Sequence, residues 1–152
     1  MLYVATTGDQ PYVESDLLHV EDVEPKRLVV RQWLTLPVVR FVGAHTGCSC
    51  GFRSVQATEP IEYDEKMFLY EDDRENAETA RASLAALMAM ARAFVERDGS
   101  IEMLAVWDGD EGEPPLGTIE KTIGDLQPET WFFIERFLYR VTAAAVTAPA
   151  RP

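Results

Sequence analysis

The sequence predicts an α+β domain, with mixed α/β character, in which one long helix packs across one face of a single sheet of about five or six strands. Two observations favour this fold. Residues 73–98 have a helical pattern, and short apolar runs separated by glycine and proline stand on both sides of them. That helix spans roughly 36 Å, which exceeds the ~15 Å radius of gyration expected for a chain of this length. It therefore needs a flat layer to lie on, and a sheet is such a layer.

The ends of the long helix are marked by residues that favour helix termini. Asp72 followed by Glu75 resembles a capping box, and acidic residues stabilise the first turn of a helix. Gly99 stands where the helical pattern stops. The apolar residues between these ends recur at spacings of three and four and so predict one buried stripe. They are Ala77, Ala80, Leu84, Leu87, Ala91 and Phe94.

Short apolar runs predict the strands. In chain order they are residues 2–6, 17–20, 38–42, 101–107, 116–123 and 131–141, the last as a strand or a hairpin. A weaker helical pattern begins at Pro25 and ends before Pro37, although the β-branched Val29 and Val30 oppose it. Apolar side chains alternate to both faces of 101–107, which predicts that both faces are covered. We expect Trp33, Trp107 and Trp131 to lie in the core.

The length and composition are those of one globular domain. The chain has 152 residues, of which 47% are hydrophobic and 26% charged, and a chain of that size buries a core without disulfides or metals. We expect a single domain over residues 1–142. The remainder, 143–152, has two prolines and no periodicity, and we expect it to be a flexible C-terminal tail.

The charge balance limits the partners. The 14 basic and 26 acidic residues give a net charge of −12, which repels nucleic-acid phosphates and anionic membrane surfaces. We therefore expect no nucleic acid and no membrane, and a protein partner that is neutral or basic. The first residues lack a basic start followed by an apolar run, and the two cysteines make no disulfide framework, so the sequence predicts a soluble, cytoplasmic protein.

One glycine-rich loop concentrates residues that carry chemistry. It follows the predicted strand 38–42 and contains His45, Cys48 and Cys50. Its backbone includes three of the nine glycines, Gly43, Gly47 and Gly51. Glycine at this density indicates turns that other residues do not adopt, or a close approach of the backbone to a ligand.

Zinc binding is the first of four interpretations of this loop. His45, Cys48 and Cys50 are donors that zinc prefers, and His19 or Asp108 is a candidate for the fourth ligand. The cysteines are separated by one residue, whereas zinc knuckles usually separate theirs by two.

The other three interpretations involve thiol chemistry, hydrolysis and structure. Cys48 and Cys50 can form a small disulfide ring, with His45 able to stabilise a thiolate. Gly47 to Gly51 matches the G-x-S-x-G pattern of hydrolases around Ser49, but both histidines precede that serine and no helical pattern follows it. The loop also fits a purely structural turn with small buried thiols.

An acidic turn follows the predicted strand 101–107. Asp108, Asp110, Glu111 and Glu113 lie close together there, but their glycine spacing does not match a calcium loop. A solvated turn is the favoured interpretation, and a site for a hard cation is the alternative.

The segment GAHTGCSCGF, together with the acidic turn at Asp108, resembles a set of small bacterial proteins of unknown function that carry a G-x-H-x-G-C-x-C-G-F signature. The resemblance would cover most of the chain. It implies no activity, ligand or fold, only that the loop and the acidic turn belong to one recurring pattern.

Two functions follow from these features, and no enzyme class is assigned. The first is an acidic module that acts by binding another protein, in keeping with its charge and the absence of a local catalytic set. The second is a small metal- or thiol-site protein centred on His45, Cys48 and Cys50.

Overall fold

The structure is a computed structural model that describes residues 1–9, 15–52, 55–56 and 71–143, with the backbone alone at 55–56 and 71–77. The predicted capping pair, Asp72 and Glu75, lies outside the described side chains. The predicted tail lies outside the described residues from position 144 onward. Within these ranges no helix combines the length and the apolar character that crossing a bilayer requires.

Six strands form one mixed sheet, as the sequence predicts. The described residues form eight strands: β1 (Leu2–Thr6), β2 (Leu18–Asp22), β3 (Val38–Ala44), β4 (Val55–Gln56), β5 (Ser100–Ala105), β6 (Gly117–Thr122), β7 (Phe133–Ile134) and β8 (Phe137–Thr142). The order in the main sheet is β2-β3-β1-β5-β8-β6, and β4 pairs with β7 in a separate parallel pair. In the main sheet only β6 and β8 are parallel, so the α+β prediction is confirmed.

The long helix α1 (Glu71–Asp98) packs across one face of this sheet. The predicted stripe is buried from Ala80 to Phe94, with Met88 and Val95 beside it. The stripe contacts sheet residues that share one face: Leu2, Val4, Val42, Ile101, Met103, Ala105, Tyr139 and Val141. Gly99 ends the helix with a φ of 84°, and its N–H donates to the Val95 carbonyl at 2.8 Å.

The opposite face of the sheet is covered by a 3-10 helix, η1 (Pro25–Trp33), and the segment after it. Pro25 fits the first turn because it needs no N–H partner there. Consecutive β-branched residues at 29 and 30 disfavour an α-helix, so the weaker helical pattern forms the tighter helix and ends at Trp33. Val30 and Leu34 are buried against Tyr3 and Leu104.

The strand β5 is buried on both faces, as its sequence predicts. The strand is shorter than expected, however, because it ends at Ala105 and residues 107–109 turn away. Trp107 therefore lies beyond the sheet and is 61% exposed, so its assignment to the core was wrong. Trp131 is buried, in contact with the rings of Phe133 and Tyr139.

The aromatic stretch 131–141 forms two strands joined by a tight turn, in which Arg136 has a φ of 60°. The two strands belong to different pairings, since β7 pairs with β4 and β8 lies between β5 and β6. The predicted strand character is confirmed. A hairpin ladder is not formed.

A buried carboxylate joins the segment after η1 to the sheet. Glu102 in β5 is 1% exposed and accepts hydrogen bonds from the Thr35 N–H at 2.6 Å, the Thr35 hydroxyl at 2.7 Å and the Leu36 N–H at 3.2 Å. The Arg140 guanidinium donates to it at 3.1 Å. Burial opposes ionisation of Glu102, but these hydrogen bonds outweigh it and hold the pKa of the carboxyl below its usual value.

Replacing Glu102 tests this link. Because its pKa is lowered in the folded state, the carboxylate stabilises the fold above the unfolded-state pKa of about 4.3, and this stabilisation is lost as the pH falls through the folded-state pKa. We expect Glu102→Gln to lower the free energy of unfolding at pH 7 by about 1.5–3 kcal/mol. The difference from the parent should shrink in urea titrations below about pH 4.

Glu120→Gln is the matched control, because Glu120 is exposed and contacts the same Arg140 at 3.1 Å. This substitution should lower the free energy of unfolding by less than about 1 kcal/mol. If the free energy of unfolding lost through Glu102→Gln stays constant as the pH falls, ionisation of Glu102 does not contribute to stability.

Candidate functional site

The glycine-rich loop lies at the end of β3 and continues into a short 3-10 helix, η2 (Ser49–Phe52). Ser49 fixes it to the sheet. Its fully buried hydroxyl accepts the Leu2 N–H at 2.7 Å and donates to the Val42 carbonyl at 2.8 Å. The hydroxyl satisfies the backbone of two strands and is out of reach of solvent, so Ser49 is a structural residue and not the nucleophile of a G-x-S-x-G elbow.

The three glycines allow the loop to fold against itself. A Cβ on Gly43 would lie 2.5 Å from the Gly47 carbonyl oxygen, and one on Gly51 would lie 2.6 Å from the Thr46 hydroxyl and 2.8 Å from the Ala44 Cβ. Gly47 has open space around it, but its φ of 73° is one that other residues rarely adopt. The close backbone approach predicted for this segment is therefore an approach between two parts of the same loop.

The two cysteines are paired as a disulfide, with their Cα atoms 5.2 Å apart. Cys50 is exposed, whereas Cys48 is half-buried. The Cys48 carbonyl accepts the N–H groups of Ala44 and Gly51, each at 3.1 Å. The Cys50 N–H points to the Cys48 sulfur at 3.2 Å. The loop therefore exposes Cys50 and holds the Cys48 sulfur and carbonyl against its own backbone.

The structure brings Cys48 and Cys50 together as a disulfide, but not as part of the predicted set of zinc ligands. The His45 Nδ1 lies 3.1 Å from the Ser83 hydroxyl, which also accepts the His45 N–H at 3.2 Å. His19 is exposed on β2, and Asp108 pairs with Arg27 at 2.8 Å. In the described part of the chain, no three His, Cys, Asp or Glu side chains form a group suited to a metal ion. Zinc binding by the reduced chain stays a prediction.

A small cavity adjoins the disulfide on the η1 side of the sheet. Its volume is about 270 Å³, and Cys48 and Gly47 form part of its wall. The remaining wall is formed by Met1, Tyr3, Glu21, Asp22, Glu24, Arg27 and Phe41. Three of these residues carry carboxylates and two carry cations, the Arg27 guanidinium and the Met1 ammonium, so acidic groups outnumber basic ones in the wall beside Cys48.

The acidic turn contributes a buried carboxylate near this cavity. Glu111 is only 4% exposed, accepts the Tyr3 hydroxyl at 2.9 Å and the Gly109 N–H at 3.0 Å, and lies 3.6 Å from the Arg27 guanidinium. Burial and the hydrogen bond to Glu111 raise the pKa of the Tyr3 hydroxyl. The expectation of a solvated turn is therefore wrong at Glu111, although Asp108 and Glu113 are exposed.

Sequence reasoning did not find the roles of Tyr3, Arg27 and Glu111. Tyr3 and Glu111 are 108 residues apart, and no local spacing signals their contact. Arg27 directly follows Lys26, so the sequence around it did not single it out either.

No protein-family model, curated protein or solved structure matches this chain. A functional argument therefore depends on the chemistry of the site alone.

Alanine substitutions at two of the glycines test the loop geometry. Gly43→Ala places a Cβ against the Gly47 carbonyl and should cost about 3 kcal/mol in the free energy of unfolding, since backbone must move. Gly47→Ala meets only the strain of a positive φ and should cost about 1–2 kcal/mol. Urea unfolding of both variants measures the difference. Equal costs would contradict the close approach of Gly43 to Gly47.

Proposed function

We propose that this chain exchanges disulfides with thiols of another protein through Cys48 and Cys50. The observation that carries the proposal is the pairing of the two cysteines across a single residue in a loop that exposes Cys50. A thiol–disulfide site needs an accessible sulfur and a second sulfur within bonding reach. The buried Ser49 supports this function because it holds both sulfurs on a fixed turn at the end of the sheet.

The reaction begins with a thiolate of a partner dithiol. It attacks the exposed Cys50 sulfur, the Cys48–Cys50 bond breaks, and Cys48 leaves as a thiolate. The Cys50 N–H, 3.2 Å from the Cys48 sulfur, stabilises the charge of this leaving group. The partner's second thiolate then attacks its own sulfur in the mixed disulfide and releases Cys50 as a thiolate. Two electrons pass from the partner to this protein, and the reverse steps reduce a partner disulfide.

We infer a cytoplasmic location for this chemistry, as the sequence predicts. In that reducing compartment the resting form carries two thiols, and the disulfide forms during turnover. A net charge of −12 favours a neutral or basic protein as the partner over a nucleic acid.

Single cysteine variants test the exchange. When the reduced parent is mixed with oxidised glutathione, the second thiol should displace the first adduct, so the product carries a Cys48–Cys50 disulfide and no glutathione. Cys48→Ser lacks the resolving thiol and should keep one glutathione on Cys50. Mass spectrometry of the intact protein distinguishes these products.

The double variant Cys48→Ser with Cys50→Ser is the control and should take up no glutathione. A parent that ends with two adducts, or that does not react at all, would contradict the proposed function. The structural interpretation would then account for the loop.

Binding of a basic protein without chemistry is the second candidate, and an exposed apolar patch favours it. Trp107 and Leu116 are 61% and 59% exposed, and Val29 is 43% exposed. The acidic turn lies close to two of them, since a Cβ on Gly112 would lie 4.0 Å from the Val29 side chain and Glu113 stands three residues before Leu116 in the chain. Exposed tryptophan beside acidic residues is typical of a surface that binds a partner with apolar and basic groups.

Substitution of Trp107 tests this second function. In a panel of basic proteins, at least one should bind the parent with an affinity that falls as salt rises. Trp107→Ala should weaken that binding at least about tenfold, as for a central aromatic contact, while Trp107→Phe should keep most of it. Binding that is insensitive to both substitutions would contradict the role of this surface.

A further inference from the structure

The cavity beside Cys48 has the charge and size to select the protein that reacts with the disulfide. At about 270 Å³ it is smaller than a typical pocket for a drug-sized ligand. It therefore suits one or two side chains of a chain segment. Cys48 forms part of its wall, and the exposed Cys50 is bonded to Cys48. A segment whose thiol reaches Cys50 would thus place a neighbouring side chain at the cavity.

The carboxylates of the cavity differ in what binds them. Asp22 pairs with Arg40 at 2.8 Å, and Glu24 pairs with Lys26 at 3.1 Å and Arg27 at 3.5 Å. Glu21, on the exposed edge strand β2, makes no ion pair within the described part of the chain. It is therefore the carboxylate of this wall that is available to a cation from outside.

The two cations of the wall are bound by other groups. Arg27 is held by Asp108 at 2.8 Å, by Glu24 at 3.5 Å and by Glu111 at 3.6 Å. The Met1 ammonium donates a hydrogen bond to the Val106 carbonyl at 2.6 Å. A carboxylate or phosphate brought to the cavity would meet the Glu21 carboxylate, whereas a lysine or arginine would be attracted to it.

We infer that the substrate of the disulfide is a protein segment in which a lysine or arginine stands next to the reactive cysteine. The basic side chain enters the cavity and pairs with Glu21 while the adjacent thiolate attacks Cys50 and displaces Cys48. This inference rests on the proposed exchange function and adds the class of substrate to it. The basic residue also lowers the pKa of the neighbouring thiol and so raises the fraction of it that is present as the attacking thiolate.

Two pentapeptides with a central cysteine serve as probes, one flanked by lysines and the other by glutamates. Each is mixed in large excess with the oxidised protein, and the initial rate at which the peptide forms a mixed disulfide with it is followed by mass spectrometry after acid quenching. Each rate is divided by the thiolate fraction of that peptide, which removes the difference in thiol acidity. At low ionic strength the lysine peptide should react at least about tenfold faster, and added salt should reduce this ratio.

Charge variants separate the cavity from the overall field of the protein. Glu21→Lys should lower the ratio of the two rates at least about threefold, and the milder Glu21→Gln should lower it in the same direction. Glu96→Lys makes the same change in net charge on an exposed position near the C-terminal end of α1, far along the sheet from the loop, and should leave the ratio unchanged. Urea unfolding verifies that each variant is folded.

The outcomes distinguish this inference from the proposed function. If neither peptide forms a mixed disulfide with the protein, the exchange function itself is overturned. If both peptides react at equal rates per thiolate, exchange stands and the basic substrate class is overturned. A preference for lysine that Glu21→Lys and Glu96→Lys lower equally would assign the effect to net charge, which also overturns the role of the cavity.

Discussion

The burial of β1 and β5 on both faces is the constraint on which the rest of this structure depends. All five residues of β1 are buried, and so are residues 101–105 of β5. Each face of the sheet therefore needs a cover. The helix α1 supplies one with a long apolar stripe, but the 3-10 helix on the other face has only nine residues. Buried carboxylates complete that second cover, because Glu102 binds Thr35 and Leu36 while the Glu111 segment binds Tyr3 and Trp33.

The helix α1 and the sheet together determine where the cysteine loop lies. The helix α1 provides Ser83, which holds His45 from one side, and the start of β1 provides the Leu2 N–H, which holds Ser49. Between these anchors, backbone carbonyls of the loop accept hydrogen bonds from other residues of the loop. Glycine is needed where the segments of the loop come into contact. Because the anchors are Ser49 and His45, the loop keeps Cys50 outside. A serine and a histidine that look catalytic in the sequence thus position the cysteines.

The sequence was sufficient for the parts of the fold that depend on local periodicity. The stripe from Ala80 to Phe94 and the alternation in β5 predict burial because helix and strand repeats place these residues on defined faces. The contacts of Glu102 and Glu111 could not be predicted, since their partners are 67 and 108 residues away. For the loop, glycine density predicted a close approach of the backbone to another group. The structure is needed to show that this group belongs to the same loop. The exposure of Trp107 depended on where β5 ends, and strand ends are poorly marked in sequence.

The position of the acidic wall follows from the same architecture. The edge strand β2 brings Glu21 and Asp22 alongside β3, and η1 starts directly after it with Glu24 and Arg27. The loop that ends β3 then turns its Cys48 toward that side. The chain has a net charge of −12, and elsewhere its carboxylates serve solubility. In this wall they are grouped around the Cys48 sulfur. Negative charge beside a disulfide repels anionic thiolates, so the proposed exchange function implies that a favoured partner brings positive charge with its cysteine. Slower reaction with small anionic thiols and selection of basic protein segments are then two expected effects of one arrangement.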